Sequence, residues 1–307
     1  MSARLFWPAA LGLSVLALGL WTYRREIFDS TDPAESRIRA LGPVFIAAAI
    51  ACFSGEHFTD AVDLVRMVPQ WLPLRIPITY LVGISLLAAG LSIASRIAVR
   101  WSAPLLALLF ALFVLLIYVP STIRHPQLHL AWIFPFREGS FAMAAFSIFV
   151  YETRPRWSGS FSLIARFWAA FVIVFYGVLN LRYPHVAPGV PSQVPTSAWV
   201  PFPSIVAYLT GALLVTFGAA VLLKKTAVSA IAWAGILMAV LTVVLYVPNL
   251  FLARSVEQGV TAINFVADTL LFAGSMFVIA TAVSLGGPVA QNARSQTALS
   301  GSLEPVI

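Results

Sequence analysis

The sequence predicts an all-α membrane protein, a polytopic transmembrane helical bundle of two parallel four-helix repeats plus one C-terminal helix. Three observations carry that prediction. Hydrophobic residues make up 60% of the chain and charged residues only 10%, where a soluble domain carries about a quarter charged. Apolar runs near the roughly 20 residues needed to cross a hydrocarbon core recur along the whole length. Finally, parts of the first half return in the second half at a constant spacing.

Nine spans follow in order. The first, 5–23, ends in WTYRRE and lacks a small-residue cleavage site, so it reads as a retained helix rather than a signal peptide. The second, 42–58, is built on FIAAAIACF and closes with Glu56 and His57. The third, 76–95, carries Gly83 and Gly90 and stops at the basic turn of Arg96 and Arg100; the fourth, 102–120, ends in YVP. The fifth, 133–151, closes at Tyr151, and the sixth, 165–181, runs into the proline-rich YPHVAPGVPSQVPTSAWVPFP. The seventh, 202–223, ends at Lys224 and Lys225, the eighth is 227–250, and the ninth, 261–283, contains INFVADTLLFAG. Trp7, Trp21, Trp71, Trp101, Trp157 and Trp199 fall near these ends, where an indole holds its ring in the interface; Trp233 is the interior exception. The tail 286–307 mixes turn formers with scattered polar residues and is expected to be disordered.

Charge sets orientation. The net charge of +7 comes from Lys and Arg placed singly or in pairs at span ends, not clustered on one element as a nucleic-acid reader needs. The larger share, including Arg24, Arg25, Arg37, Arg39, Lys224 and Lys225, lies on one side. That places the N-terminus outside and the C-terminus in the cytoplasm of a cell (inner) membrane. A single cysteine, Cys52, excludes an internal disulfide or a CxxC redox pair.

The repeat rests on three anchors. YLVGISLLAAG at 80–90 returns as YLTGALLVTFG at 208–218, LIYVP ending at Pro120 returns as VLYVP ending at Pro248, and Tyr23 returns as Tyr151. Each pair is 128 residues apart. Four spans per copy make the copies parallel, related by an axis along the membrane normal. The units are 1–121, a diverged 122–251, an added helix at 252–285 and the tail. Gly83 with Gly90, and Gly211 with Gly218, lie two turns apart on one face, where they admit a neighbouring helix.

The stretch EHFTDAVDLVRMVPQWLPLRIPITYLVGISLLAAGLSIASRIAVR, followed by an apolar helix ending YVP, resembles the DoxX-like membrane proteins. Their pattern is a helix ending in His-Phe, a VPxWLP-type loop, a glycine-bearing helix, a basic turn and another helix. The resemblance covers residues 53 to about 121 well and the second copy loosely. There YGVLNLRYPHVAPGV sets Asn180 where His57 stands, after a short gap. The family is similar to the small membrane subunit of thiosulfate:quinone oxidoreductases, which implies quinone or sulfur redox work and a membrane-associated redox partner.

Candidate ligand or proton-relay residues are Glu56, His57, Asp268 and Asn180. Glu56 and His57 sit at the outer end of the second span, where an imidazole shuttles protons or bonds a carbonyl and an adjacent carboxylate tunes it; polar anchoring at the interface is the alternative. Asp268, with Asn264 one turn before it, lies deeper, where a carboxylate faces the bundle interior and is either functional or a structural tie. His125 and His129 have i, i+4 spacing, but Pro126 breaks the helix and no other ligand completes a metal set. No Walker A, GxSxG or GxGxxG occurs. The expected function is an accessory or small-molecule-binding membrane subunit in quinone- or sulfur-linked respiratory redox chemistry, with no cofactor motif of its own. The alternative is a stand-alone small-molecule transporter coupling through Glu56, His57 and Asp268.

Overall fold

The computed structural model describes residues 2–29, 31–190 and 194–286. Among them nine helices are long and apolar enough to cross a bilayer: α1 (Ala3–Thr22), α2 (Ala34–Thr59), α3 (Arg75–Ser95), α4 (Val99–Arg124), α5 (His129–Thr153), α6 (Ser158–Arg182), α7 (Pro203–Val221), α8 (Ala227–Leu252) and α9 (Val256–Ser284). Every expected span is present, and several run further than their apolar cores. Residues 129–132 and 158–164, for example, continue α5 and α6 past the apolar edge, because polar side chains at a helix end still reach water. Of the expected disordered tail, 287–307 lie outside the described residues.

The packing is that of helices in lipid. Small side chains fill the inside, as in the wholly buried stretch Ala47–Cys52 of α2, while Leu81, Ile84, Leu105, Leu108, Leu115 and Phe167 point outward. Lipid solvates the large apolar groups as well as protein does, so close backbone approach and dispersion hold the bundle. A Cβ at Gly274 of α9 would stand 2.8 Å from the Gly42 carbonyl oxygen of α2, so the two backbones nearly touch there. The expected glycine pairs do admit neighbours: Gly90 faces the Ala47 carbonyl of α2, and Gly218 faces the Ala170 carbonyl of α6.

The ninth helix is not peripheral. It is the most deeply buried span and packs on α2, α5, α6 and α8, which makes it the axle of the bundle. At about 1.5 Å per residue its 29 residues reach roughly 43 Å. The two halves pack differently around it. α1 lies along α2, whereas α5 lies along α4 and α9 and meets α6 only slightly.

Two local features return at the spacing of the sequence anchors. A π-helical turn occupies Val114–Tyr118 in α4 and another Thr242–Tyr246 in α8. Left-handed residues cap α3 at Leu74 (φ 53°) and α7 at Phe202 (φ 49°). Each pair is again 128 residues apart.

Candidate functional site

A cavity of about 180 Å³ opens between α2, α3, α4, α5 and α9. It is capped by the segment from Asp60 to Leu74, whose Leu64, Met67 and Val68 form its roof. Arg4 of α1 pairs with Asp60 and with Asp63 (3.4 Å), and Arg75 at the start of α3 donates to the Val65 carbonyl (2.7 Å), so the first part of this lid is held to α1 and α3. The walls mix aliphatic and charged groups with five aromatic side chains, Phe53, Phe110, Phe113, Phe141 and the π-turn tyrosine, Tyr118. A π turn widens the helix locally and shifts side chains off the regular register, which sets Ile117 and Tyr118 against the cavity.

Three of the four sequence candidates meet here. Glu56, His57 and Asp268 all line the cavity, and so does Asn264. Although Glu56 and His57 are adjacent on α2, about 100° apart, both border the same space. Glu56 is 6% exposed, and its Oε1 is buried with no hydrogen-bond partner among the described residues. The Nδ1 of His57 lies 2.8 Å from the Phe53 carbonyl. A carbonyl only accepts, so Nδ1 carries the proton and the neutral ring keeps its lone pair on Nε2. Gly83 of α3 makes room for this residue, since a Cβ there would stand 2.8 Å from the His57 Cβ.

Two charged residues of the cavity were not singled out in the sequence. Arg137 and Glu138 of α5 stand in the same cavity. Arg137 donates from Nη1 to Asp268 Oδ2 at 2.7 Å and from Nη2 to Glu138 Oε1 at 3.0 Å, and its guanidinium lies 4.8 Å over the Phe134 ring. The signal was present, because an Arg-Glu pair inside an apolar span is expensive unless it faces the interior. The alternatives for Asp268 thus merge: it is a tie between α9 and α5, and it lines the cavity. Around this space stand three carboxylates, of Glu56, Glu138 and Asp268, and one guanidinium, which pairs with the last two.

Asn180 lies elsewhere. It is buried, donates from Nδ2 to the carbonyls of Tyr176 (2.8 Å) and Gly189 (3.0 Å), and accepts from the Gly189 N–H (2.9 Å). It pins the loop between α6 and α7, which a single bridge between Val186 and Pro195 draws together. His129 stacks on Tyr183 at 4.2 Å, and His125 is exposed. Among the described residues no three His, Cys, Asp or Glu side chains gather as a metal site.

Two further hollows matter. Toward the opposite end of the bundle, about 310 Å³ is lined by Tyr23, Glu26, Asp32, Arg96, Glu152 and, on α9, Val278, Thr281 and Ser284. Arg96 pairs with Glu26 at 2.6 Å and lies 4.0 Å over the Tyr23 ring. Burial pushes the Tyr23 phenol above its usual value, against the pull of Arg96. Between α3 and α4, an apolar groove of about 510 Å³ runs past Ala89, Trp101, Leu105 and Leu108.

The chain matches no protein-family model, and comparison with curated proteins and with solved structures returned no match either.

Proposed function

We propose that this chain is a stand-alone small-molecule transporter of the cell membrane, with the N-terminus outside, built on two parallel DoxX-like repeats. One observation carries the reading: two cavities, each with charged side chains in its lining, open toward opposite ends of the bundle and share one helix. Asp268 in the lid-side cavity and Val278 in the other are ten residues apart on α9, about 15 Å at 1.5 Å per residue. The helix between them, from Leu271 to Phe277, is buried. A substrate bound at one end is thus separated from the other by a short packed plug, the arrangement that alternating access requires. The features recurring at 128 residues support the repeat. The site groups of Glu56, His57 and Asp268 are the kind that couple transport to protons.

Single-cysteine accessibility tests this. With Cys52 replaced by Ala, N264C should react with an impermeant maleimide from outside and T281C from the cytoplasm. Labelling of both from one side would sink the reading.

A second reading keeps the chain as an accessory membrane subunit that binds a quinone for a redox partner. The groove between α3 and α4 favours it, because Ala89 and Leu109 of the groove adjoin Leu86 and Phe110 of the cavity, which offers a lipid-side route. Purification in gentle detergent separates the two. A stoichiometric redox protein or a retained quinone supports the subunit; recovery of the chain alone removes it.

A further inference from the structure

The lid-side cavity has a charge imbalance that none of its own groups resolves. Arg137 is spent on Asp268 and Glu138, both within 3.0 Å. Glu56 gets no share of it, and its Oε1 is buried without a partner. The other charged or titratable groups of the cavity and its rim are few. His57 stands on α2 itself, Asp60 just past its end is paired to Arg4 of α1, and at the rim Arg75 of α3 donates to the Val65 carbonyl. α4 contributes the phenol of Tyr118, and α3 contributes no ionisable group to the lining. A carboxylate held in such a place is neutral with a proton or is met by a cation.

The walls say which kind of cation. A metal ion needs several convergent oxygen or nitrogen ligands, and no such set gathers among the described residues. Four phenylalanines and Tyr118 contribute to its walls instead. Aromatic faces attract an organic cation that has shed its water and also solvate an apolar body. A volume of about 180 Å³ is small for a ligand pocket; it suits one ring with a compact head.

We propose that the substrate class is a small lipophilic ammonium ion, taken up in exchange for the proton of Glu56. The step balances in charge: the Glu56 carboxylic acid and the incoming cation give a carboxylate–cation pair and one released proton. The inference rests on the transport reading and specifies its cargo.

The test uses the full-length chain in detergent micelles, titrated calorimetrically with benzyltrimethylammonium and with its neutral isostere neopentylbenzene. The cation should bind on the order of tenfold or more tightly than the isostere, the scale of a desolvated cation on aromatic faces. Repeating the titration in buffers of different ionisation enthalpy should show one proton released per cation, and affinity should rise with pH. Glu56→Gln should abolish both the preference and the proton release while the isostere still binds, and Glu56→Asp should restore part of each. Equal binding of cation and isostere overturns the proposal, as does proton release that survives Glu56→Gln. Failure of both probes to bind, with two-sided cysteine labelling intact, overturns the cargo and leaves the transport reading standing. Selective cation binding with one-sided labelling does the reverse.

Discussion

Arg137→Met removes the only guanidinium in the lid-side cavity and leaves Asp268 and Glu138 facing each other without a counter-charge. The side chains of Arg137, Asp268 and Glu138 are 15%, 17% and 8% exposed, so solvent screening gives little relief. Removing one partner of a buried pair costs about 3–5 kcal/mol, because the remaining charge has been desolvated for nothing. At roughly 2 °C per kcal/mol for a chain of this size, the melting temperature should fall by about 6–10 °C. The loss is electrostatic, so it should be reversible by neutralisation. The triple variant R137M/E138Q/D268N should recover to within about 1 kcal/mol of the parent, since a buried ion cluster replaced by neutral groups of similar shape is often close to neutral in stability. The assay is thermal unfolding in one detergent, followed by intrinsic tryptophan fluorescence. A melting temperature for R137M within about a degree of the parent, or a triple variant no better than R137M alone, would falsify the picture of a charged, water-poor triad.

Two further outcomes are expected. Asn180→Ala orphans the buried N–H and C=O of Gly189 and should cost about 1–3 kcal/mol, measured as faster proteolysis of the 183–202 loop with ligand binding at the other site unchanged. Gly83→Ala places a methyl 2.8 Å from the His57 Cβ, so α3 must move off α2 at a cost of about 1–3 kcal/mol. The control is Gly159→Ala, where nothing lies within 4 Å and the melt should hold or rise slightly.

The sequence made the spans legible because lipid imposes one requirement on every residue of a crossing helix. From FIAAAIACF to INFVADTLLFAG each span was visible, and Glu56, His57 and Asp268 stood out because ionisable groups are costly there. That the three share one cavity was not legible. It depends on how α2 and α9 turn about their axes, which is set by contacts such as Gly42 against Gly274 with no local signature. Arg137 and Glu138 were readable as residue types inside a span, but their role appears only when Asp268, 131 positions away, arrives beside them. The central place of α9 was hidden for a related reason: composition reports how apolar a helix is, not how many neighbours it has.

Why a cavity stays open beside Glu56 while the chain fills the space around Asn180 follows from the packing itself. Gly90 meets the Ala47 carbonyl and Gly218 meets the Ala170 carbonyl; read as repeats, α2 and α6 would be offset by 123 residues, five fewer than the 128 between the two glycines. At that offset His57 corresponds to Asn180 and Glu56 to Leu179. Leu179 carries no charge, and the Asn180 amide binds the backbone of Gly189. The loop it holds is driven inward: Val186, Ala187 and Val190 are buried, and the Tyr246 hydroxyl of the second π turn donates to the Pro188 carbonyl. The chain's own loop is thus the occupant of the second half, satisfied by an amide and needing no charge. The first half keeps a carboxyl whose Oε1 has no hydrogen-bond partner and a lid held near its start by Arg4 and Arg75. A buried acid whose Oε1 has no partner costs folding energy unless it holds a proton or meets a cation, and the ligand proposed for this cavity would offset that cost.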